Sequence, residues 1–261
     1  MPLAPILAPM PVTLGIWLVR AEDERLAQVL YAKLGGEIYR PWLEKQTSQK
    51  AKFAAYYKQH TQWIVIAATG IAVRFLDGQM ESKQHDPAVV VVDSAGRYAI
   101  ALLAGHEGGA NALAYRVANI VGAVPVVTTA TEALKPLVIG IGCRKGVHAA
   151  QIEAAINKAL GQRDISEVRE IATIDLKANE PGLVEFCEQQ SIPLRIFASE
   201  SIAQRPWVRH ASEWVQQTIG LPGVCEPCAL LACVRGKLIV PKFCLDGVAV
   251  AVVEDNDGMN V

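Results

Sequence analysis

Charge of one sign is what this chain lacks most plainly: Lys and Arg number 25 against 26 Asp and Glu over 261 residues. A formal net charge of -1 creates no global field for nucleic acid or an anionic membrane surface, so neither is expected as a partner. Any anion site must be local. Phosphate-binding motifs are also missing, since no glycine-rich loop carries the P-loop Lys or the dinucleotide spacing. That weighs against a generic nucleotide-binding protein. The absence of internal repeats, low-complexity tracts and heptads excludes repeat and coiled-coil architectures. The apolar start, residues 1–12, has no basic n-region, and Pro2, Pro5, Pro9 and Pro11 break any membrane helix or signal core, so it reads as a frayed leader.

Cysteine is sparse too, at Cys143, Cys187, Cys225, Cys228, Cys233 and Cys244. Without an export signal these should stay thiols in a reducing cytoplasm. The spacing Cys225-Glu-Pro-Cys228 raises a zinc or iron–sulfur site, but the run CALLACV looks like the buried face of a helix, where Cys behaves as a small hydrophobe. No metal is expected there.

What the chain does have is apolar residues, 51% of the total, in short runs alternating with helical patterns. This is the form of an α/β protein with mixed, mostly parallel sheets flanked by helices. The strand candidates are residues 15–19, 63–68, 88–93 and 98–103, then 137–143, 168–174, 193–198, 237–243 and 248–254. Helical spacing covers 22–36, 109–122, 148–160, 181–190 and 212–218. Asp93-Ser-Ala-Gly96 reads as a hairpin turn, making at least one strand pair antiparallel. The pattern restarts after residues 133–136, so two α/β domains are expected, 12–134 and 135–261.

The strongest local signal is residues 104–111, Ala-Gly-His-Glu-Gly-Gly-Ala-Asn, between a strand and a helix. Gly105, Gly108 and Gly109 let a ligand approach the backbone, and free N–H groups at the helix start favour an anion. His106 is suited to acid–base work near neutral pH, with Glu107 beside it; the bland alternative is a His that only bonds the backbone of a tight turn. Thr69 and Gly70 end another apolar run, and Thr128 and Thr129 a third, so these turns are expected to converge with His106 on one sheet edge. Helix capping explains the threonines equally well. In the second half, Gly140-Ile-Gly-Cys-Arg-Lys-Gly146 repeats the strand–turn–helix logic with a cationic tip: Arg144 offers a fork for a carboxylate and Lys145 a point charge. Cys143 has only His148 nearby and reads better as a structural thiol than as a nucleophile. Polar turns at 177–182 and 215–220 are capping or ligand-contact segments.

These motifs, in this order and spacing, resemble the cobalt-precorrin-5A hydrolases of anaerobic cobalamin biosynthesis. The first half matches at residues 67–73, at Asp86 to Asp93, at Gly105 to Asn111 and at Thr128 to Thr131; the second at residues 140–144, 176–180 and 216–220. Its second half is similar to a domain that also occurs alone as a small cobalamin-pathway protein. The resemblance implies a cytoplasmic hydrolase that opens a δ-lactone on a cobalt tetrapyrrole and releases acetaldehyde. The small-molecule substrate then supplies its own cobalt, so no cofactor is required of the protein, and contacts with neighbouring enzymes of the pathway are implied. On this reading His106 is the base and Glu107 its partner. Thr69, Gly70, Gly105, Gly108, Gly109, Asn111, Thr128, Thr129, Cys143, Arg144, Lys145, Glu180 and Gln217 meet the substrate, with backbone N–H groups around Gly108 and Gly109 serving the oxyanion. Longer family members carry a middle segment between the halves, whereas here residues 133–137 join them almost directly, and Cys225 and Cys228 stand where small or apolar residues are expected. A non-catalytic corrinoid carrier is the competing reading.

Overall fold

The computed structural model describes residues 13–44, 46–82, 84–203 and 223–255. The leader, the helical pattern at 212–218 and Gln217 lie outside the described residues. The chain divides into two compact units, up to Val127 and from Thr128 onward, a few residues ahead of the Lys135 boundary read from the sequence.

The first unit is built on a sheet of β1 (Leu14–Leu18), β2 (Glu37–Tyr39), β3 (Gln62–Ile66), β4 (Ala88–Val92), β5 (Tyr98–Leu103) and β6 (Val124–Val126), in the order β2-β1-β3-β4-β5-β6. All pairs are parallel except β4–β5, which is antiparallel through the Asp93–Gly96 turn. That turn is closed by Gly96 N–H donating to the Asp93 carbonyl at 2.7 Å and by the Asp93 carboxylate accepting from the N–H groups of Arg97 and Tyr98. Helices α1 (Glu24–Leu34), α2 (Gln49–Tyr56), α3 (Thr69–Leu76) and α4 (Ala110–Val121) complete the unit.

The period-2 geometry of strands explains why β1, β3 and β4 read as continuous apolar runs. Ile16, Leu18, Ile64, Ile66, Val90 and Val92 pack on one face with Leu30 of α1 and Leu113 of α4. Their neighbours Trp17, Trp63, Val65, Val89 and Val91 face the other way, with Phe53 of α2 and Phe75 of α3. Aromatic residues, only 6% of the chain, are concentrated here: the Trp17 ring meets Phe53 edge-on at 5.1 Å and Trp63 at 6.3 Å.

In the second unit, helix α5 (Ala130–Ala133) precedes a sheet of β7 (Leu137–Cys143), β8 (Val168–Ile174), β9 (Leu194–Phe197), β10 (Lys237–Leu245) and β11 (Val248–Glu254). Its order is β10-β11-β7-β8-β9; β7–β8 and β8–β9 are parallel, while β10–β11 and β11–β7 are antiparallel. The expectation of mostly parallel pairing therefore holds for the first sheet, whereas the second divides evenly. Helices α6 (Ala149–Leu160) and α7 (Pro181–Gln190) cover one face through Ile152, Ile156, Leu183 and Phe186. Short α8 (Ser199–Ala203) and α9 (Cys225–Ala232) belong to the other. Cys225 and Cys228 are buried at the start of α9, where burial pushes the Cys225 thiol up to about 12 and raises the Cys228 thiol well above its ordinary value. Small residues are needed because α9 lies directly on β7: a Cβ at Gly140 would sit 1.8 Å from the Cys225 carbonyl oxygen.

Candidate functional site

The His106 turn follows β5, and the direction of β5 decides where it lies. Because β5 runs against β4, with Ala99 opposite Val92 and Leu103 opposite Val89, its end reaches the edge where β3 and β4 begin. The glycines confirm the placement, since the nearest neighbours of a Cβ at Gly109 and at Gly108 include the Gln62 side chain and the Ala88 backbone. Thr69 and Gly70 instead follow β3 at the other edge, past the Ile66–Val92 pair. Five residues of strand, roughly 16 Å, separate the two edges. The expected convergence of Thr69 with His106 is thus overturned: the antiparallel turn recognised in the sequence carries the chain back across the sheet. Thr128 and Thr129 follow β6 and fall in the second unit.

The turn itself is tightly closed. Ala104 takes a left-handed φ of 53°, and its carbonyl accepts from both Gly108 N–H at 3.1 Å and Ala110 N–H at 3.2 Å. Asn111 N–H donates to the Gly105 carbonyl at 2.9 Å. Of the helix-start N–H groups expected to favour an anion, those of Gly108, Ala110 and Asn111 are therefore already engaged within the loop. Gly108 is required for packing, since a Cβ there would come within 2.6 Å of the Ala104 Cβ. His106 and Glu107 both stay exposed on this fixed loop.

The threonines do not behave as caps. Ala68 is the N-cap of α3, which puts Thr69 inside the helix, and Thr129 stands at the N-cap of α5 without a side-chain cap bond. Gly70, in regular helix, has open space where a Cβ would be. Asp86, from the Asp86-to-Asp93 motif, is structural: its buried carboxylate accepts from Glu81 N–H at 3.1 and 3.0 Å and from Lys58 at 3.0 Å.

The second unit holds a cavity of about 600 Å³ at the carboxyl edge of the parallel strands β7 and β8, where open α/β sheets bind ligands. Cys143, Arg144 and Lys145 line it, as expected of the cationic tip. That tip is held at two points: Arg144 N–H donates to the Gly247 carbonyl at 2.9 Å, and Gly146 N–H to a Glu180 oxygen at 2.7 Å. Glu180 is buried at the head of α7, and its other oxygen pairs with Lys177 at 3.4 Å. It acts on the turn rather than on a ligand. Glu180→Ala leaves the Gly146 donor and the Lys177 charge without their partner, and a loss of about 1–3 kcal/mol is expected in urea unfolding. Glu180→Gln, which keeps an acceptor, should lose less.

Burial raises the Cys143 thiol to about 11, with Lys177 opposing that shift and Glu180 adding to it. It is a protonated thiol at neutral pH, which fits lining rather than nucleophilic attack. Sequence reasoning missed Lys177 and Lys242 as cavity residues. Lys177 stood within a recognised motif, but Lys242 gave no signal, because a Lys on an edge strand such as β10 is ordinary protection against edge pairing. Among the described residues no group of three His, Cys, Asp or Glu is arranged to hold a metal ion, and no helix is long and apolar enough to cross a membrane.

Two family models match the chain in succession: the cobalamin synthesis G N-terminal domain over residues 51–132 and its C-terminal domain over 137–253. Among curated proteins the chain is 24% identical to the cobalt-precorrin-5A hydrolase of Salmonella typhimurium over 75% of its own length and 82% of that protein. It is 27% identical to the probable cobalt-precorrin-5A hydrolase of Methanocaldococcus jannaschii, covering 74% and 85% respectively. A third relative, the protein CobE of a Sinorhizobium species, is 28% identical over 43% of this chain and 76% of that protein.

Proposed function

The chain belongs to the cobalamin synthesis G family, and on that premise we propose that it is a cobalt-precorrin-5A hydrolase, opening the δ-lactone of its substrate with water and releasing acetaldehyde. The observation that carries the reading is the exposed His106–Glu107 pair on a loop closed by backbone hydrogen bonds from Gly108, Ala110 and Asn111. Rigid support of an exposed titratable ring is what general base catalysis needs and what a purely structural turn does not.

In the proposed reaction His106 takes a proton from water as its oxygen adds to the lactone carbonyl. The tetrahedral intermediate collapses with cleavage of the acyl–oxygen bond, leaving a carboxylate and an alkoxide. The alkoxide carbon becomes the aldehyde carbon, and the C–C bonding pair passes into the conjugated macrocycle, which takes up a proton. Gly108 N–H already donates to Ala104, so the oxyanion donor is sought in the backbone N–H of Gly109.

A carrier that binds the macrocycle without cleaving it is the second reading, favoured by the match to the protein CobE, most of which is covered by 43% of this chain. Incubation with cobalt-precorrin-5A decides: the hydrolase reading expects a trapped two-carbon aldehyde and the matching mass loss in the tetrapyrrole. Bound, unchanged substrate after many enzyme equivalents would establish the carrier instead.

A further inference from the structure

We propose that the side-chain amide of Gln62 is the second oxyanion donor of the lactone-opening step, completing with the Gly109 N–H a two-donor hole on the His106 turn. The inference deepens the proposed function and rests on it.

At the head of α4 the N–H groups of Gly108, Ala110 and Asn111 close the turn, whereas Gly109 N–H has no partner among the described residues. A lone donor leaves the oxygen half-held. Acyl-transfer sites set preorganised N–H groups around the atom that gains charge, and a Gln side chain serves there as well as the backbone does. The second donor must come from another element.

Gln62 stands in the right place. It opens β3 at the edge of the sheet that the His106 turn reaches, paired with Leu14 of β1 on one side and Ala88 of β4 on the other. The position that a Cβ would take at Gly109 has one neighbour within 4 Å, the Gln62 amide nitrogen at 3.5 Å. A Cβ lies about 2.5 Å from its own backbone nitrogen, so the two donor nitrogens are at most about 6 Å apart. Both can then reach one oxygen placed between them at about 3 Å. Gly109 also has a left-handed φ of 83°, which favours glycine, and the missing Cβ leaves this space open to a substrate oxygen.

The amide is held in position and uncommitted. Gln62 N–H donates to the Thr13 carbonyl at 3.0 Å, and the neighbouring Thr61 carbonyl accepts from Ala88 N–H at 3.0 Å, which fixes the start of β3. The half-buried Gln62 side chain has no hydrogen-bond partner among the described residues. By contrast, the amides of Gln49 and Gln151 donate to the Val19 and Asp246 carbonyls at 3.1 Å. Those two hold the fold, and Gln62 is left to meet a ligand.

The role follows the flow of charge. As the water oxygen bonds to the lactone carbon and His106 takes the proton, the carbonyl π pair moves onto its own oxygen. The pair returns to re-form the carbonyl when the acyl–oxygen bond breaks, and that bonding pair leaves on the alkoxide. Full negative charge on the carbonyl oxygen exists only in between, so Gln62 and Gly109 act on kcat more than on KM.

The test follows trapped aldehyde from cobalt-precorrin-5A with the full chain as wild type, Gln62→Met, Gln62→Glu and Gln28→Met. Methionine keeps the length and removes the donor, so kcat should fall by about 10²–10³ with KM within a few-fold. Glutamate turns a carboxylate toward the oxyanion and should lose at least as much, although its shape is closer to glutamine. A role in holding β3 would instead spare the glutamate variant and lower the urea midpoint of the methionine one. Gln28→Met, exposed on α1, should match wild type. The inference is overturned if either folded Gln62 variant turns over within about three-fold of wild type, or if the loss appears in KM alone; the hydrolase then stands. Wild-type protein that releases no aldehyde removes the hydrolase reading and this role with it.

Discussion

Replacing Gly140 with alanine should cost the second unit about 3 kcal/mol or more in urea unfolding, enough to leave it largely unfolded if its stability is typical. Gly140 occupies the middle of β7, the strand that joins the antiparallel and parallel parts of its sheet. A Cβ there meets the Cys225 carbonyl oxygen at 1.8 Å, its carbon at 2.7 Å and the Ala229 nitrogen at 2.9 Å. These are backbone atoms of α9, so no side chain can swing aside. Either α9 lifts off the sheet, exposing Cys228 and Ala229 now fully buried, or β7 shifts against both neighbours. Gly70→Ala is the matched control, because its Cβ meets nothing within 4 Å in regular helix. That change should be neutral or stabilising by about 0.5–1 kcal/mol. Equal effects of the two substitutions would contradict the close contact of α9 with β7.

The contrast shows how far glycines can be read from sequence. Gly70 and Gly108 follow strand ends, where ligand approach is the natural reading of a glycine, whereas Gly140 lies in the middle of β7. Gly108 instead packs on Ala104 and Gly140 on a helix backbone, partners that only folding reveals. Strands were legible where both faces are buried, because a run such as Val89 to Val92 or Leu137 to Cys143 has no other stable use. The bounds of β5, β7, β8 and α7 coincide with the sequence reading. β2 and β6 were not seen because three residues carry no period, nor was α2, Gln49–Tyr56, whose polar residues are scattered among its apolar ones. The site was half legible. Its cationic tip followed from local strand–turn–helix logic, whereas Lys242 reaches the cavity across a β-hairpin that no local pattern reports. The placement of His106 failed for a different reason. The Asp93–Gly96 turn was recognised, but reversing one strand moves every loop after it to the opposite edge.

His106→Ala should lower kcat for aldehyde release by about 10²–10⁴, the range of general acid–base catalysis, while KM stays within a few-fold. The asymmetry follows from the proposed role. His106 acts when water loses its proton, so its interaction is gained only on the way to the transition state. Deleting such an interaction lowers kcat and kcat/KM together. Its exposure makes the variant a clean one, since the Ala104, Gly108, Ala110 and Asn111 hydrogen bonds that fix the turn are all backbone and survive the change. Arg144→Ala is expected to do the reverse. A guanidinium holding a carboxylate arm in ground and transition states alike contributes uniform binding, so KM should rise by roughly 10-fold with kcat nearly unchanged. Its backbone N–H still reaches Gly247, so the turn stays in place. Steady-state kinetics on the two variants therefore separates the turn in the first unit, proposed for chemistry, from the cavity in the second, proposed for capture. If His106→Ala turns over at the wild-type rate, the base lies elsewhere. Glu107 on the same loop is then tested ahead of Glu132, whose carboxylate is held by Lys135 at 2.9 Å.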